Sequence, residues 1–209
     1  MKIAVIGGTG AFGIAMATRL VAAGYDVIIG SRDAERAKAT AAEVGAVDGA
    51  TNADAARAAD LVVLATNADA TLDTAKGLAD AIGATPVLCV AAELSFDKGG
   101  VRPTEEATSI AQRIQDVVAG PVIAGLHSLA AANLGGEEAP EEDTLVCGDD
   151  AEAKAIVLEV AGRLTSGRAV DAGPLASARA LEGLTAVIVN VNKKYKTHAG
   201  IRVTGLDGH

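Results

Sequence analysis

The chain has 209 residues, half of them hydrophobic, enough to bury one sizeable core or one core with a small appended lobe. Its formal charge of −9 excludes general nucleic-acid binding, which needs a basic face to displace phosphate counterions, and reads as solubility. No apolar run approaches the ~20 residues of a membrane span. The opening MKIAVIGGTG is too short and glycine-rich for a signal peptide, so a soluble cytoplasmic protein without membrane partners is expected.

Short β-rich runs alternate with alanine-rich helical stretches, the pattern of an α/β protein with a mainly parallel sheet. KIAVIG is the first strand, and Ile14–Ala23 the helix after it. YDVIIG is the second strand, followed by a helix over Asp33–Val44 with Asp33 near its N-terminus. AVDGAT is a weak third strand, and Asn52 reads as the cap of the next helix. DLVVLAT, apolar throughout, is a central strand covered on both faces. A helix over Ala70–Ile82 leads to TPVLCVA. The stretch Ala92–Pro103 carries turn residues and reads as a loop. A helix over Thr104–Val118 precedes GPVIAGLH, a buried strand, and residues 133–143 (NLGGEEAPEED) read as an acidic surface loop. TLVCG is a strand, residues 149–164 a helix and RAVDAGPL a strand and turn. Ser177–Lys194 is a long helix, followed by a tail. These elements predict a Rossmann-type, doubly wound sheet over residues 1–174, with a small C-terminal helical lobe over 175–209.

The two cysteines, Cys89 and Cys147, sit in separate apolar strands and read as buried thiols in a reducing compartment. With three histidines and no CxxC pair, no metal site is expected.

The spacing G-x-G-x-x-G falls at Gly8, Gly10 and Gly13, directly after a strand and before a helix. One glycine permits a tight turn, the next lets the backbone approach a pyrophosphate, and the third lets helix and strand pack closely. The helix N-terminus then offers unpaired N–H groups to that anion. An NAD-binding chain needs a carboxylate at the end of strand two for the ribose 2′-hydroxyl; here that strand ends Gly30-Ser31-Arg32, with Arg36 one turn later. A hydroxyl and two guanidinium groups suit a 2′-phosphate, so the cofactor reads as NADP(H). Asp33 suits the helix dipole instead.

The second reactant is less evident from the residues alone. AGLHSLAAA places His127 just past a strand's C-terminal end, the ligand-binding edge of α/β sheets. Tyr25 and Tyr195 have no lysine four residues on, which excludes the Tyr-x-x-x-Lys pair of short-chain dehydrogenases. Taken by themselves, the residues leave open an NADP-dependent reductase of a small acceptor (flavin, quinone or imine) and a non-catalytic NADP-sensing module.

The segments GGTGAFG, IGSRD, GLHSLAA, LVCGDDAEAK, VDAGPLASARALEGLT and HAGIRVTG occur in that order from the first strand to the tail. Together they resemble the NADPH-dependent reductases of coenzyme F420, a 5-deazaflavin. The resemblance implies a hydride-transferring oxidoreductase with NADP(H) as cofactor, F420 as co-substrate, small-molecule partners only and a homodimeric assembly. It implies NADP contacts from Thr9, Gly10 and Phe12 in the glycine loop and from Ser31, Arg32 and Arg36. Thr66 and Asn67 would flank the nicotinamide, and Ala131 would lie beside the cofactor. His127, Ser128 and Leu129 would lie where the deazaflavin meets the nicotinamide, His127 as a ring-edge donor that orients and stabilises charge. This chain departs from the family pattern at Thr66-Asn67, where a hydrophobic-Pro pair is common, and at Ala130. Its basic segment, Lys193, Lys194, Lys196 and Arg202, reads either as a helix C-terminus or as an entry for the coenzyme's anionic tail.

Overall fold

Valine, isoleucine and leucine concentrate in short runs, and those runs become strands in a computed structural model that describes residues 1–206. The strands are β1 (Lys2–Ile6), β2 (Asp26–Ser31), β3 (Asp48–Thr51), β4 (Leu61–Leu64), β5 (Val87–Cys89), β6 (Leu94–Asp97), β7 (Gly100–Pro103), β8 (Val122–Gly125), β9 (Thr144–Gly148) and β10 (Ala169–Asp171). The helices are α1 (Ala11–Ala22), α2 (Ala34–Val44), α3 (Asn52–Arg57), α4 (Ala68–Ile82), α5 (Ile110–Gln115), α6 (Ala131–Leu134), α7 (Ala151–Leu164) and α8 (Ala178–Tyr195). Eight strands form one sheet in the order β10-β9-β8-β5-β4-β1-β2-β3, and β6 and β7 form a separate antiparallel hairpin. From β8 to β3 all pairings are parallel; β9 runs antiparallel to β8, and β10 follows β9. The mainly parallel, Rossmann-type sheet expected from the sequence is present. The last three residues of the expected C-terminal segment lie outside the described residues.

Side chains alternate across the strands with period two, and both sets are apolar because both faces are covered. Ile3, Val5, Val27, Ile29, Leu61, Val63, Leu88 and Ile123 pack with α1, α2 and α7. Ala4, Ile6, Ile28, Val62, Leu64, Val87, Cys89, Val122 and Ala124 pack with α3, α4, α5 and α8. Cys89 and Cys147 each pair in register with Ala124, on opposite sides of it. Two strand spacings, about 9.6 Å, separate them, beyond the ~7 Å Cα limit for a disulfide. Both thiols are free, and burial pushes their pKa up to about 12 and about 11, respectively.

Several local expectations change. Thr51, not Asn52, caps α3, its hydroxyl accepting from Asp54 N at 3.2 Å. Residues 94–103, read as loop, form the β6–β7 hairpin. Asn190 of α8 pins it, accepting from Val101 N (2.8 Å) and donating to Val101 O (2.7 Å). The predicted helix over 104–118 is only α5, because the Ser109–Gln112 capping box starts it late. The acidic loop is not all surface: residues 131–134 are helical, and Glu142 and Asp143 are 3% and 2% exposed. The tail folds back over them, with Val203 N donating to Asp143 Oδ2 at 2.8 Å and Arg168 Nη2 at the same distance. Hydrogen bonds from Arg168 hold the Asp143 carboxyl well below the usual range. Among the described residues, no helix is long and apolar enough to cross a membrane, and no group of three or more His, Cys, Asp or Glu is placed to hold a metal.

Candidate functional site

The strand order reverses between β1 and β4, and at such a switch point the loops after neighbouring strands part to leave a crevice. A cleft of about 460 Å³ opens there. Its walls are Gly7, Thr9 and Gly10 after β1, Ser31, Arg32, Asp33 and Arg36 after β2, Asn52 after β3, and Ala65, Thr66, Asn67, Ala70 and Thr74 after β4.

The glycines divide their work differently from the spacing argument. The tight turn belongs to Gly7, at φ +80°, one residue ahead of the motif. At Gly8 a Cβ would lie 2.8 Å from Val5 O and 3.0 Å from Ile29 Cγ2, so this glycine serves packing against the sheet. At Gly13 a Cβ would meet Gly7 O at 2.4 Å, so α1 can press onto the turn only without a side chain. Gly10 has only Gly7 O at 3.4 Å, which leaves its backbone open toward the cleft. Phe12 is half-buried against the α1 side of the core and does not line the cleft.

At the end of β2, Ser31 is 6% exposed and its hydroxyl accepts from Asp33 N at 3.2 Å. Asp33 is the only carboxylate in the cleft wall among the described residues, and its Oδ1 is occupied as the α2 cap, accepting from Glu35 N (3.0 Å) and Arg36 N (3.2 Å). Arg36 Nη2 donates to Thr9 O at 3.1 Å, which joins the start of α2 to the glycine loop. Arg32 is exposed beside them. On the opposite wall, the Thr66 and Thr71 hydroxyls lie 2.9 Å apart, and Thr71 donates to Asn67 O at 2.8 Å. Asn67 stands at the N-cap of α4 but makes no side-chain cap bond.

The remaining expected residues sit on the same edge of the sheet, past β8. Leu126 carries φ +64°, a left-handed conformation costly for a branched side chain, and the bend it makes delivers His127. His127 is 8% exposed, with Nε2 3.1 Å from Ala91 O, beyond the end of neighbouring β5. A carbonyl can only accept, so Nε2 bears the proton and the neutral ring presents Nδ1 as an acceptor. That geometry replaces the ring-edge donor expected from the sequence. Burial lowers the ring's pKa to about 4, only partly opposed by the Ala91 contact. Nδ1 and the Ser128 hydroxyl are both buried without a hydrogen-bond partner. The Leu129 side chain belongs to the core, and Ala131 packs against it, so these two offer backbone rather than side chains.

Sequence reasoning missed the residues that hold this segment. Arg19 of α1, 7% exposed, donates to the carbonyls of Leu134 (3.0 Å), Gly136 (2.6 Å) and Glu138 (2.6 Å). An arginine inside the apolar pattern of α1 was the available signal. Thr185 of α8 donates to His127 O at 2.9 Å. In the basic segment, Lys193 lies over the Phe96 ring at 5.1 Å and Arg202 pairs with Glu141 at 2.7 Å; Lys194 and Lys196 are exposed.

Comparisons with known proteins identify the family. The family model described as NADP oxidoreductase, coenzyme F420-dependent, matches residues 2–93. An F420-dependent NADP reductase of Methanocaldococcus jannaschii is 34% identical over 99% of this chain and 100% of its own length. Its counterpart in Methanothermobacter thermautotrophicus is 35% identical, covering 99% of this chain and 96% of its own. A crystal structure from Arthrobacter sp. FB24, provisionally assigned as an F420-dependent NADP reductase, superposes with a TM-score of 0.84 at 28% identity, over 98% of this chain and 99% of that one. Conserved length, shared fold and sequence identity together place this chain in the family of F420-dependent NADP reductases.

Proposed function

We propose that this protein transfers a hydride between NADP(H) and coenzyme F420. The full-length relationship to F420-dependent NADP reductases carries the reading. The β2 end supports the choice of NADP: Ser31, Arg32 and Arg36 face the cleft, and the one carboxylate among them is engaged in capping a helix. In this reading Thr9 and Gly10 hold the pyrophosphate, Gly8 and Gly13 shape the turn that presents them, and Thr66 and Asn67 border the nicotinamide. Phe12 and Ala131 support the loops from below.

The coenzymes, when bound, supply the redox chemistry, a hydride exchanged between nicotinamide carbon 4 and deazaflavin carbon 5. The chain's part is to hold the two rings together and keep water out. His127, fixed by its contact with the Ala91 carbonyl, shapes the acceptor side together with Ser128 and the Leu129 backbone. His127 is an orienting group here, not an obligatory base. Residues 175–206 complete the acceptor side, an assignment supported by the Thr185 bond to the His127 carbonyl.

Two further assignments belong to the same reading. The free thiols, too far apart to bridge, suit the reducing cytoplasm. Val187 (57% exposed), Val191 (36%) and Tyr195 (72%) follow one another at four-residue intervals along α8, an apolar stripe that supports a homodimer. Light scattering would then give twice the 20.7 kDa chain mass. Mixing the protein with NADPH and oxidised F420 tests the activity: the deazaflavin's visible absorbance should fall in proportion to NADPH consumed. Consumption of NADPH by a flavin or quinone, with F420 inert, would overturn the reading.

A further inference from the structure

Asn52 opens α3 without capping it, and its side chain turns back across the end of β2. A Cβ at Gly30 would lie 3.0 Å from Asn52 Oδ1 and 2.9 Å from Ile6 Cδ1, so position 30 stays small to admit the amide. There Oδ1 is sealed from solvent and receives no hydrogen bond. The residue as a whole is only half-buried and lines the cleft with Ser31 and Arg32. Since Oδ1 is enclosed, the half of the amide that the cleft can reach is Nδ2, a donor. Register fixes where it sits: Ser31 pairs with Thr51, which places Asn52 one residue beyond, at the same strand edge as Ser31 and Arg32.

A buried amide oxygen without a donor is unfavourable, and a side chain kept in that state at a ligand cleft is explained when its other end gains a strong partner. We propose that Asn52 Nδ2 donates to the 2′-phosphate of NADP, making Asn52 a specificity-determining residue beside Ser31 and Arg32. The amide supplies a hydrogen bond without charge. A carboxylate of the same shape would repel the phosphate and instead accept from an unphosphorylated ribose, as the strand-two acid does in NAD-binding chains. The inference rests on the placement of the phosphate at Ser31 and Arg32.

The test measures equilibrium binding of NADPH, NADH and 2′,5′-ADP to the wild type and to the Asn52→Ala, Asn52→Asp and Arg32→Ala variants. Asn52→Ala should weaken NADPH and 2′,5′-ADP about tenfold, the size of a hydrogen bond to a charged group, with NADH unchanged. Asn52→Asp should weaken the phosphorylated ligands further and bind NADH at least as well as the wild type, which reverses part of the selectivity. An aspartate suits a helix N-terminus, so this variant keeps α3, and an unchanged melting temperature checks that it does. If Asn52→Asp keeps the wild-type ratio of NADPH to NADH affinity, or if both nucleotides weaken equally, the inference fails. In either case, loss of 2′,5′-ADP binding in Arg32→Ala shows that the phosphate site itself stands. A wild-type protein that does not bind 2′,5′-ADP would overturn the phosphate placement instead.

Discussion

At the scale of single residues, NADP selectivity rests in the proposed reading on Arg32 and the shaping of the acceptor side on His127. Arg32 is exposed at the β2 end with no partner in the chain that would compete for its guanidinium among the described hydrogen bonds. Arg32→Ala should therefore weaken NADPH binding by about 1.5–3 kcal/mol, the range for a hydrogen bond to a charged group, and leave NADH binding unchanged. Equal losses for both nucleotides, read by fluorescence titration, would contradict the phosphate assignment. His127 makes a different prediction. Its folded pKa is about 4 because burial disfavours the imidazolium, whereas an unfolded chain protonates near 6.5. The neutral ring's contribution to stability is thus present above pH 6.5 and is lost as the pH falls from 6.5 through 4. Denaturation midpoints at pH 7.5 and 4.5 should differ more for the wild type than for His127→Gln, and turnover should show no inflection near 6.5. An inflection there, abolished in His127→Gln, would mean that the ring titrates in the working enzyme.

At the scale of elements, a buried acid is one of the fastenings of α8 to the body, beside the Thr185 and Asn190 hydrogen bonds. Glu182 is fully buried, accepts from Ile110 N at 2.8 Å at the start of α5, and pairs with Arg179, which also donates to Thr104 O. Glu182→Ala strands both donors. It should cost about 2–4 kcal/mol in urea unfolding, somewhat below the full range for a broken buried pair because the Arg179 side chain keeps 20% of its exposure. A loss under about 0.5 kcal/mol would show that the buried Glu182 pair adds little to the hold of the other α8 contacts. The same elements mark the limit of what the sequence discloses. The parallel strands were readable because covering both faces makes their apolar runs continuous, and the β1 turn because its glycines are required by contacts only a few residues away. The β6–β7 hairpin was not, since DKGG reads as a turn and the partner that pins it, Asn190, lies about ninety residues later. Burial of Glu142 and Asp143 was hidden for the same reason: the tail that covers them comes some sixty residues on. At the site, the glycine loop after β1 and Ser31, Arg32 and Arg36 after β2 were legible from local spacing, whereas Thr66 and Asn67 after β4 came only from the family resemblance. Asn52 was misread as a cap because Thr51 competes for that role, and Arg19 and Thr185 act only through contacts made across the fold.

At the scale of the whole molecule, sheet order assembles the site. The β2–β3 ends carry Ser31, Arg32 and Asn52, proposed above for the 2′-phosphate, the β1–β4 reversal opens the cleft, and β5 and β8 bring Ala91 and His127 to the same edge. From β1 to β8 is three strand spacings, about 14 Å, the span along this edge between the glycine loop and the end of the strand that precedes His127. In the proposed reading the chain supplies positions and the coenzymes the chemistry, so the transferred hydrogen should never exchange with solvent. The measurement that tests this most directly follows the label from NADPH deuterated at the transferred position into oxidised F420 during turnover. Direct transfer predicts one deuterium on carbon 5 of the reduced deazaflavin for each NADPH consumed, with unlabelled product when the same NADPH carries deuterium on the opposite face. Label appearing in solvent, or F420 reduced without it, would contradict the account.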